Sequence, residues 1–369
     1  MNSNEQYTLP PDELDISNAE DEILENQSMI ALAEKYRIKA ADQYDEPKYT
    51  LSQNGQGFAP LGNIMALMAE MKHGKTFVNT SFAAALLKGE TGFLGLKGLI
   101  PDASVLFFDT EQDLSDGQRI QRRVHYACGW DFNIDNDRFR IFHLREIPYD
   151  KRREFISWAI RNYKPTMAIV DGVRDLLQDF NSLDESADLI QELMTLSSEC
   201  QCAIWTVLHV NPNSEKMRGH LGTELGNKVT DVFRVVKDKD KATGNVSFEV
   251  DHVAARHRDV DGWVFRIDDD LPYGIPVLLN KSEILAKEDA KEERTNELRE
   301  IMSKYIHDPA AISKTKLQKL LTNGEHIGGN KAWKMIEESV ELNALEYVIG
   351  GKLRICKSSE KPKENNLPF

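Results

Sequence analysis

Eight consecutive residues, Ala69, Glu70, Met71, Lys72, His73, Gly74, Lys75 and Thr76, have the spacing of a loop that wraps phosphates. The pattern asks for glycine, four residues, then Gly-Lys-Ser/Thr, between a strand and a helix. In such a loop the backbone N–H groups and the helix N-terminus surround the anion. The lysine meets the β/γ oxygens, and the hydroxyl ligates Mg²⁺. Gly74 keeps the backbone close to the phosphates. Ala69 stands where the first glycine is expected; that position serves the turn, and alanine has the smallest Cβ that can replace it. Lys72 adds a cation inside the loop and reads as a solvated lysine. Two further stretches, SVLFFDTEQ (104–112) and TMAIVDGVRDLL (166–177), are apolar runs that end in Asp109, Thr110 and Glu111 and in Asp171. A carboxylate at the end of a parallel strand can hold the Mg²⁺ shell, and a second can orient an attacking water. The alternative for both is turn or capping chemistry, common for Asp just after a strand.

The elements needed to position these residues are legible around them. NIMALM (63–68) is a buried-strand run, and KTFVNTSFAAALLKG from Lys75 is an apolar helix ending near Gly89. From about Tyr49 to Asn280, short β-rich runs alternate with helical ones, the signature of a parallel α/β sheet. CAIWTVLHVNPN (202–213) is a further strand with His209 at its end; a lone histidine there is ordinarily a hydrogen-bonded core or edge residue. Arg256 and Arg258 alternate, which predicts that both lie on one strand face. The stretch after Asp171 reads as a solvated acidic loop. Trp205 and Trp263 read as core residues, and the four cysteines, Cys128, Cys200, Cys202 and Cys356, as reduced packing residues.

The chain has 369 residues, 41% apolar and 29% charged, enough for one sizeable core and a second, smaller domain. No apolar run reaches the roughly 18 residues of a membrane span, and the start MNSNEQYTLPPDELD lacks the regions of a signal peptide, so a cytoplasmic location without membrane contact is expected. The net charge of −14 argues against a protein that coats DNA generally. Residues 1–48, an acidic arm with one helix around Met29, Ile30, Leu32, Ala33 and Tyr36, carry four basic and twelve acidic side chains. Residues 281–369 carry sixteen and fifteen.

Residues 281–294 read as a charged linker or the solvated lead-in to a helix. Residues 295–358 follow as helix, helix, helix and β-hairpin around Gly350 and Gly351, the order of a winged helix-turn-helix; residues 359–369 read as a disordered tail. Lys331 and Lys334 on the third helix, with Lys352 and Arg354 on the hairpin, stand where a recognition helix and wing meet phosphates. Glu337, Glu338 and Glu341 dilute that signal, and a structural helical lid is the alternative.

A loop of this kind, then a strand ending in Glu, then a strand ending in Asp, resembles the RecA-like P-loop ATPases. It closely resembles the RepA-type hexameric helicase branch carried by plasmids and mobile elements. DGVRDLLQDFN, HVNPN and RGHLGTELGNK resemble ATPases from mobile genetic elements of Bacteroidetes. The resemblance covers about residues 49–280 and implies a RecA-like, mostly parallel sheet with flanking helices, to which the winged-helix-like domain is appended. It implies ATP and Mg²⁺ as ligands, with Lys75, Thr76 and Asp171 on the phosphates and metal. Glu111 would be the catalytic glutamate and His209 a γ-phosphate or DNA sensor. Arg256 and Arg258 would be fingers reaching the neighbouring subunit's nucleotide. The segment around Gly219 would contribute to DNA-facing loops. The implied partners are single-stranded DNA in a homo-oligomeric ring, expected as a hexamer, and other proteins of the element; the C-terminal domain would contact duplex DNA. The implied function is a DNA motor or helicase-like ATPase in replication, excision or mobilisation. An ATP-controlled DNA-site-binding regulator without unwinding is the alternative.

Overall fold

The computed structural model describes residues 16–210, 219–239, 244–268, 270–307, 310–348 and 350–356. The chain divides into two units, Met1–Pro47 and Lys48–Phe369. In the first, helix α1 (Ile16–Tyr36) begins well before the apolar spacing that announced it, and Met29, Ile30, Leu32 and Tyr36 are all exposed on it.

The second unit opens with the hairpin β1 (Tyr49–Gln53) and β2 (Gln56–Pro60), whose two-residue turn places both Asn54 and Gly55 at positive φ, as such turns require. Strand β3 (Ile64–Ala69) is buried at every residue. Its alternation sends Met65, Leu67 and Ala69 into one core and Ile64, Ala66 and Met68 into another, so both faces are covered, as expected of a central parallel strand. Helix α2 (Lys75–Lys88) is buried from Val78 to Leu87, and β4 (Leu96–Gly98) lies against it while pairing with β1. A Cβ on Gly98 would stand 2.5 Å from the Leu86 carbonyl oxygen, so only glycine permits that approach.

Strands then alternate with helices: β5 (Val105–Asp109), α3 (Leu114–Cys128), β6 (Phe139–His143), α4 (Tyr149–Tyr163), β7 (Met167–Asp171), α5 (Leu183–Cys200), β8 (Ala203–His209) and α6 (Gly219–Lys228). Strands β9 (Asp231–Lys239), β10 (Val246–Ala255), β11 (Trp263–Asp268) and β12 (Ile275–Leu278) follow. The nine-stranded sheet runs β12-β11-β10-β9-β3-β8-β7-β5-β6. Its six strands from β9 to β6 are parallel, and β10 to β12 extend one edge antiparallel. This is a RecA-like P-loop architecture, a mostly parallel sheet flanked by helices. Trp205 stacks on Phe82 with centroids 4.4 Å apart, and Trp263 packs against the same ring, so both tryptophans are core. All four cysteines are free.

The C-terminal part has its own core of Met302, Ile306, Leu317, Leu321, Ala332, Ile336, Leu345 and Leu353. Its elements are α7 (Lys281–Ser303), β13 (Ile312–Ser313), α8 (Lys314–Gly324), α9 (Gly329–Glu341), β14 (Leu345–Val348) and β15 (Lys352–Ile355), with an antiparallel sheet in the order β13-β15-β14. Residues 281–294 form the first half of α7 rather than an extended linker. Asn280 and Glu283 close a capping box there, and the segment's Lys, Glu and Ala are strong helix formers. The expected tail 359–369 lies outside the described residues.

Candidate active site

The loop after β3 has the geometry its sequence demands, and the alanine is accommodated. Ala69 is the last residue of β3, paired with His209 on β8 and Val235 on β9. Positive φ occurs at Lys72 (62°) and Gly74 (86°) and not at Ala69, so the position never needs glycine's freedom. Gly74 does: it caps α2 in the left-handed region, and a Cβ there would stand 2.5 Å from the Phe248 ring. Glu70 and His73 face each other at 3.8 Å, while Met71 and Lys72 are exposed. Lys75 is buried; its Nζ donates to the Glu70 carbonyl at 3.1 Å and lies 2.9 Å from His209 Nδ1. Burial holds its pKa below the ordinary lysine value, and Asp171 and Glu111 oppose that shift.

Three carboxylates converge on the same edge. The register sets Asp109 beside Asp171, while β8 with His209 stands between β3, which leads into the loop of Lys75, and β7, which ends in Asp171. Thr76 Oγ1 donates to Asp171 Oδ2 at 3.4 Å. Asp109 is fully buried, and its Oδ1 accepts the N–H groups of Glu111 at 3.1 Å and Gln112 at 3.0 Å. It shapes the turn that presents Glu111, whose side chain is 45% exposed. Glu111 Oε1 lies 3.4 Å from His209 Nε2; that contact, reinforced by His209, Lys75 and Arg174 charge and opposed by burial, holds its pKa below the usual range. His209 therefore bridges Lys75 and Glu111 through its two ring nitrogens.

Asp171 is pushed up to about 7 by burial first, then by the negative charges of Glu111 and Asp109. An unfolded chain releases this proton near pH 4 while the folded one keeps it to about 7, so the group costs stability progressively as pH rises between the two. Asp171→Asn should therefore stabilise the ligand-free protein by on the order of 2–4 kcal/mol at pH 8 and by little near pH 4. Denaturant unfolding at both pH values checks this; an equal effect at both would contradict the assignment.

Sequence reasoning missed several partners. The stretch after β7 opens with a 3-10 turn and puts Val173, Leu176 and Leu177 in the core; only from Gln178 to Ser182 is it the largely exposed loop expected before α5. Asp175 there accepts from Thr110 Oγ1 at 2.8 Å, tying the turns after β5 and β7 together. Beside the first turn of α2, Arg123 lies over the Phe77 ring and donates to the Tyr273 carbonyl, and Arg122 lies over the Tyr273 ring. Tyr273 is 150 residues from Arg123, so no local pattern announces that cluster.

The arginines depart from expectation. β10 ends at Ala255, so Arg256 and Arg258 lie in the bend before β11 and not on a strand face. Ala255 pairs with Asp231 at the start of β9, whereas Ala69 pairs with Val235 further along. The bend thus sits at the end of the strands opposite the loop of its own chain.

A buried ammonium disfavoured by desolvation faces a carboxylate disfavoured by the same cause. A triphosphate would supply the counter-charge to Lys75, and a divalent cation would supply it to Asp171 and Thr76; the residues fit both. Among the described residues, no group of three or more His, Cys, Asp or Glu side chains is placed to hold a metal by itself. Residues 33–215, from α1 through β8, match the family described as the AAA domain. The chain carries a P-loop NTPase domain. No curated protein matches the chain. The match includes the P-loop, Glu111, Asp171 and His209, and ends before α6 and the arginine bend. No helix among the described residues is long and apolar enough to cross a membrane.

Beyond the P-loop domain, Lys331 and Lys334 are exposed on α9, Lys352 is exposed on β15, and Arg354 pairs with Glu346 across the hairpin. The acids that diluted this face are partly removed from it. Glu338 is buried and accepts two hydrogen bonds from Arg294 of α7, while Glu337 takes Lys314 at 3.2 Å and Trp333 Nε1 at 2.9 Å.

Proposed function

We propose that this protein is an ATP-hydrolysing motor of the RecA/RepA type that acts on DNA as a homo-oligomeric ring, in the replication, excision or mobilisation of a mobile element. The observation that carries the reading is the meeting of Lys75, Thr76, Asp171, Glu111 and His209 at one edge of four adjacent parallel strands. Lys75 leaves His209 and the Glu70 carbonyl to take the β- and γ-phosphate oxygens, and Thr76 with Asp171 holds Mg²⁺. The metal's contribution is to neutralise charge on the phosphates. Glu111, accessible and ionised, orients the attacking water, and an arginine from the neighbouring subunit stabilises the charge that develops in transfer. Arg122 and Tyr273 offer stacking faces for the nucleobase. His209, joined to both Lys75 and Glu111, registers whether the γ-phosphate is present.

A second reading, an ATP-controlled regulator that binds a duplex site without separating strands, is favoured by the C-terminal helix, strand, helix, helix, hairpin order and by the exposed Lys331, Lys334 and Lys352. Strand displacement on a forked duplex separates the two: the motor releases the strand with ATP, and the regulator binds without releasing it. Substituting Lys331, Lys334 and Lys352 by Ala should weaken duplex binding and make its salt dependence shallower by up to about three phosphate contacts, with ATP turnover retained. Arg354, already paired with Glu346, should contribute less. Unchanged duplex binding would make the tail a packing or assembly element.

A further inference from the structure

Behind Glu111 the turns after β5 and β7 are clasped by one side chain from each. Thr110 is buried, and its Oγ1 lies 2.8 Å from Asp175 Oδ2, 2.9 Å from the Asp171 carbonyl oxygen and 3.3 Å from that of Gly172. A hydroxyl has one proton to donate, and the carboxylate, nearest and charged, is the strongest acceptor of the three. Asp175 is itself anchored. Its backbone N–H donates to the Gly172 carbonyl at 2.9 Å, and its own carbonyl accepts from Arg152 Nη1 at 3.1 Å; the same guanidinium ties down the carbonyls of Leu144 and Arg145. The Thr110 N–H donates to the Asp171 carbonyl at 3.2 Å. Gly172, at φ 101°, leaves the room for this clasp: a Cβ there would stand 2.1 Å from Thr110 Oγ1 and 3.2 Å from Glu111 Cγ.

Given the hydrolytic role of Glu111 proposed above, on which this rests, we infer that Asp175 is a positioning residue: through Thr110 it fixes the backbone from which Glu111 reaches the attacking water. Asp109 holds that backbone from one side, through the N–H groups of Glu111 and Gln112. The clasp holds it from the other. Two anchors are needed because Glu111 extends from a turn with a half-exposed side chain, and a misplacement of about 1 Å at a reacting group can cost on the order of 10² in rate. Asp175 does not act on water itself, since its Oδ2 is directed at a buried hydroxyl. The clasp also spares the binding residues: it uses the Asp171 backbone carbonyl, whereas Thr76 meets the Asp171 carboxylate. Its loss should therefore slow hydrolysis and leave ATP affinity alone.

The test measures ATP turnover and ATP affinity of the full-length chain carrying Asp175→Ala, Thr110→Val or both, each also in a Glu111→Gln background. Either single substitution should lower kcat by roughly 10- to 10²-fold with ATP affinity unchanged. Because both break one contact, the pair together should lose no more than either alone. Asp175→Asn, whose amide oxygen can still accept, and Thr110→Ser, which keeps the hydroxyl, should recover most of the turnover. In the Glu111→Gln background neither substitution should slow the residual reaction further, since the residue they position is already disabled. Thr110→Val keeps the side-chain shape and carries the comparison alone should Asp175→Ala not fold. Parent-level kcat in both singles, additive losses in the pair, or a further loss in the Glu111→Gln background overturns the positioning role and leaves the hydrolytic reading standing. Parent-level turnover in Glu111→Gln itself overturns that reading and this assignment with it.

Discussion

Lys75→Ala is expected to leave the protein without measurable ATP binding at ordinary concentrations. Lys75 is the buried cation of the site, facing Asp171 and Glu111. Its loss removes the charge that meets the phosphates and leaves three carboxylates on the edge that must receive an anion. Removing one partner of a desolvated charge pair costs about 2–5 kcal/mol, so affinity should fall roughly 10²–10³-fold or more. Lys72 cannot substitute, because it is exposed and fixed at a positive φ three residues away. Titration with a fluorescent ATP analogue measures this, and parent-like affinity would contradict the P-loop assignment.

Glu111→Gln is expected to separate binding from hydrolysis. Glutamine fits the same turn, held by Asp109, but cannot act as the water-orienting carboxylate, so turnover should fall by up to roughly 10⁴ while ATP still binds. The assignment to Glu111 over Asp109 follows from access: Asp109 is fully buried and its Oδ1 is committed to backbone N–H groups, whereas Glu111 reaches solvent and His209. A Glu111→Gln chain that hydrolyses ATP normally would remove that role. Oligomers that accumulate with ATP in this variant are the companion result, measured by light scattering.

Much of this site was legible in the sequence because its parts are local: a loop of eight residues and three strand ends, each announced by an apolar run stopping at a polar residue. Ala69 illustrates the limit of a motif read as letters; only the backbone reveals that β3 extends through it and that the left-handed conformations fall on Lys72 and Gly74. What the sequence hid depends on distant pairing. The Arg122–Tyr273 cluster joins residues from opposite ends of the domain, and Arg256 is occupied by carbonyls of α6 that no spacing rule connects to it. Alternate spacing of Arg256 and Arg258 suggested a strand, yet β10 had already ended at Ala255, where its partner β9 begins and the ladder stops. At 281–294 charge density left two readings open, since a run of Lys and Glu suits a solvated helix as well as a linker, and the helix is the one that forms.

The initial rate of ATP hydrolysis by the purified full-length chain, with Mg²⁺ and increasing single-stranded DNA, decides whether the protein is a DNA-stimulated ATPase. The expected result is Mg²⁺-dependent turnover that rises with DNA and is abolished by Glu111→Gln under the same conditions. An assembled chain that binds ATP yet hydrolyses it no faster than the Glu111→Gln variant, with or without DNA, would contradict it.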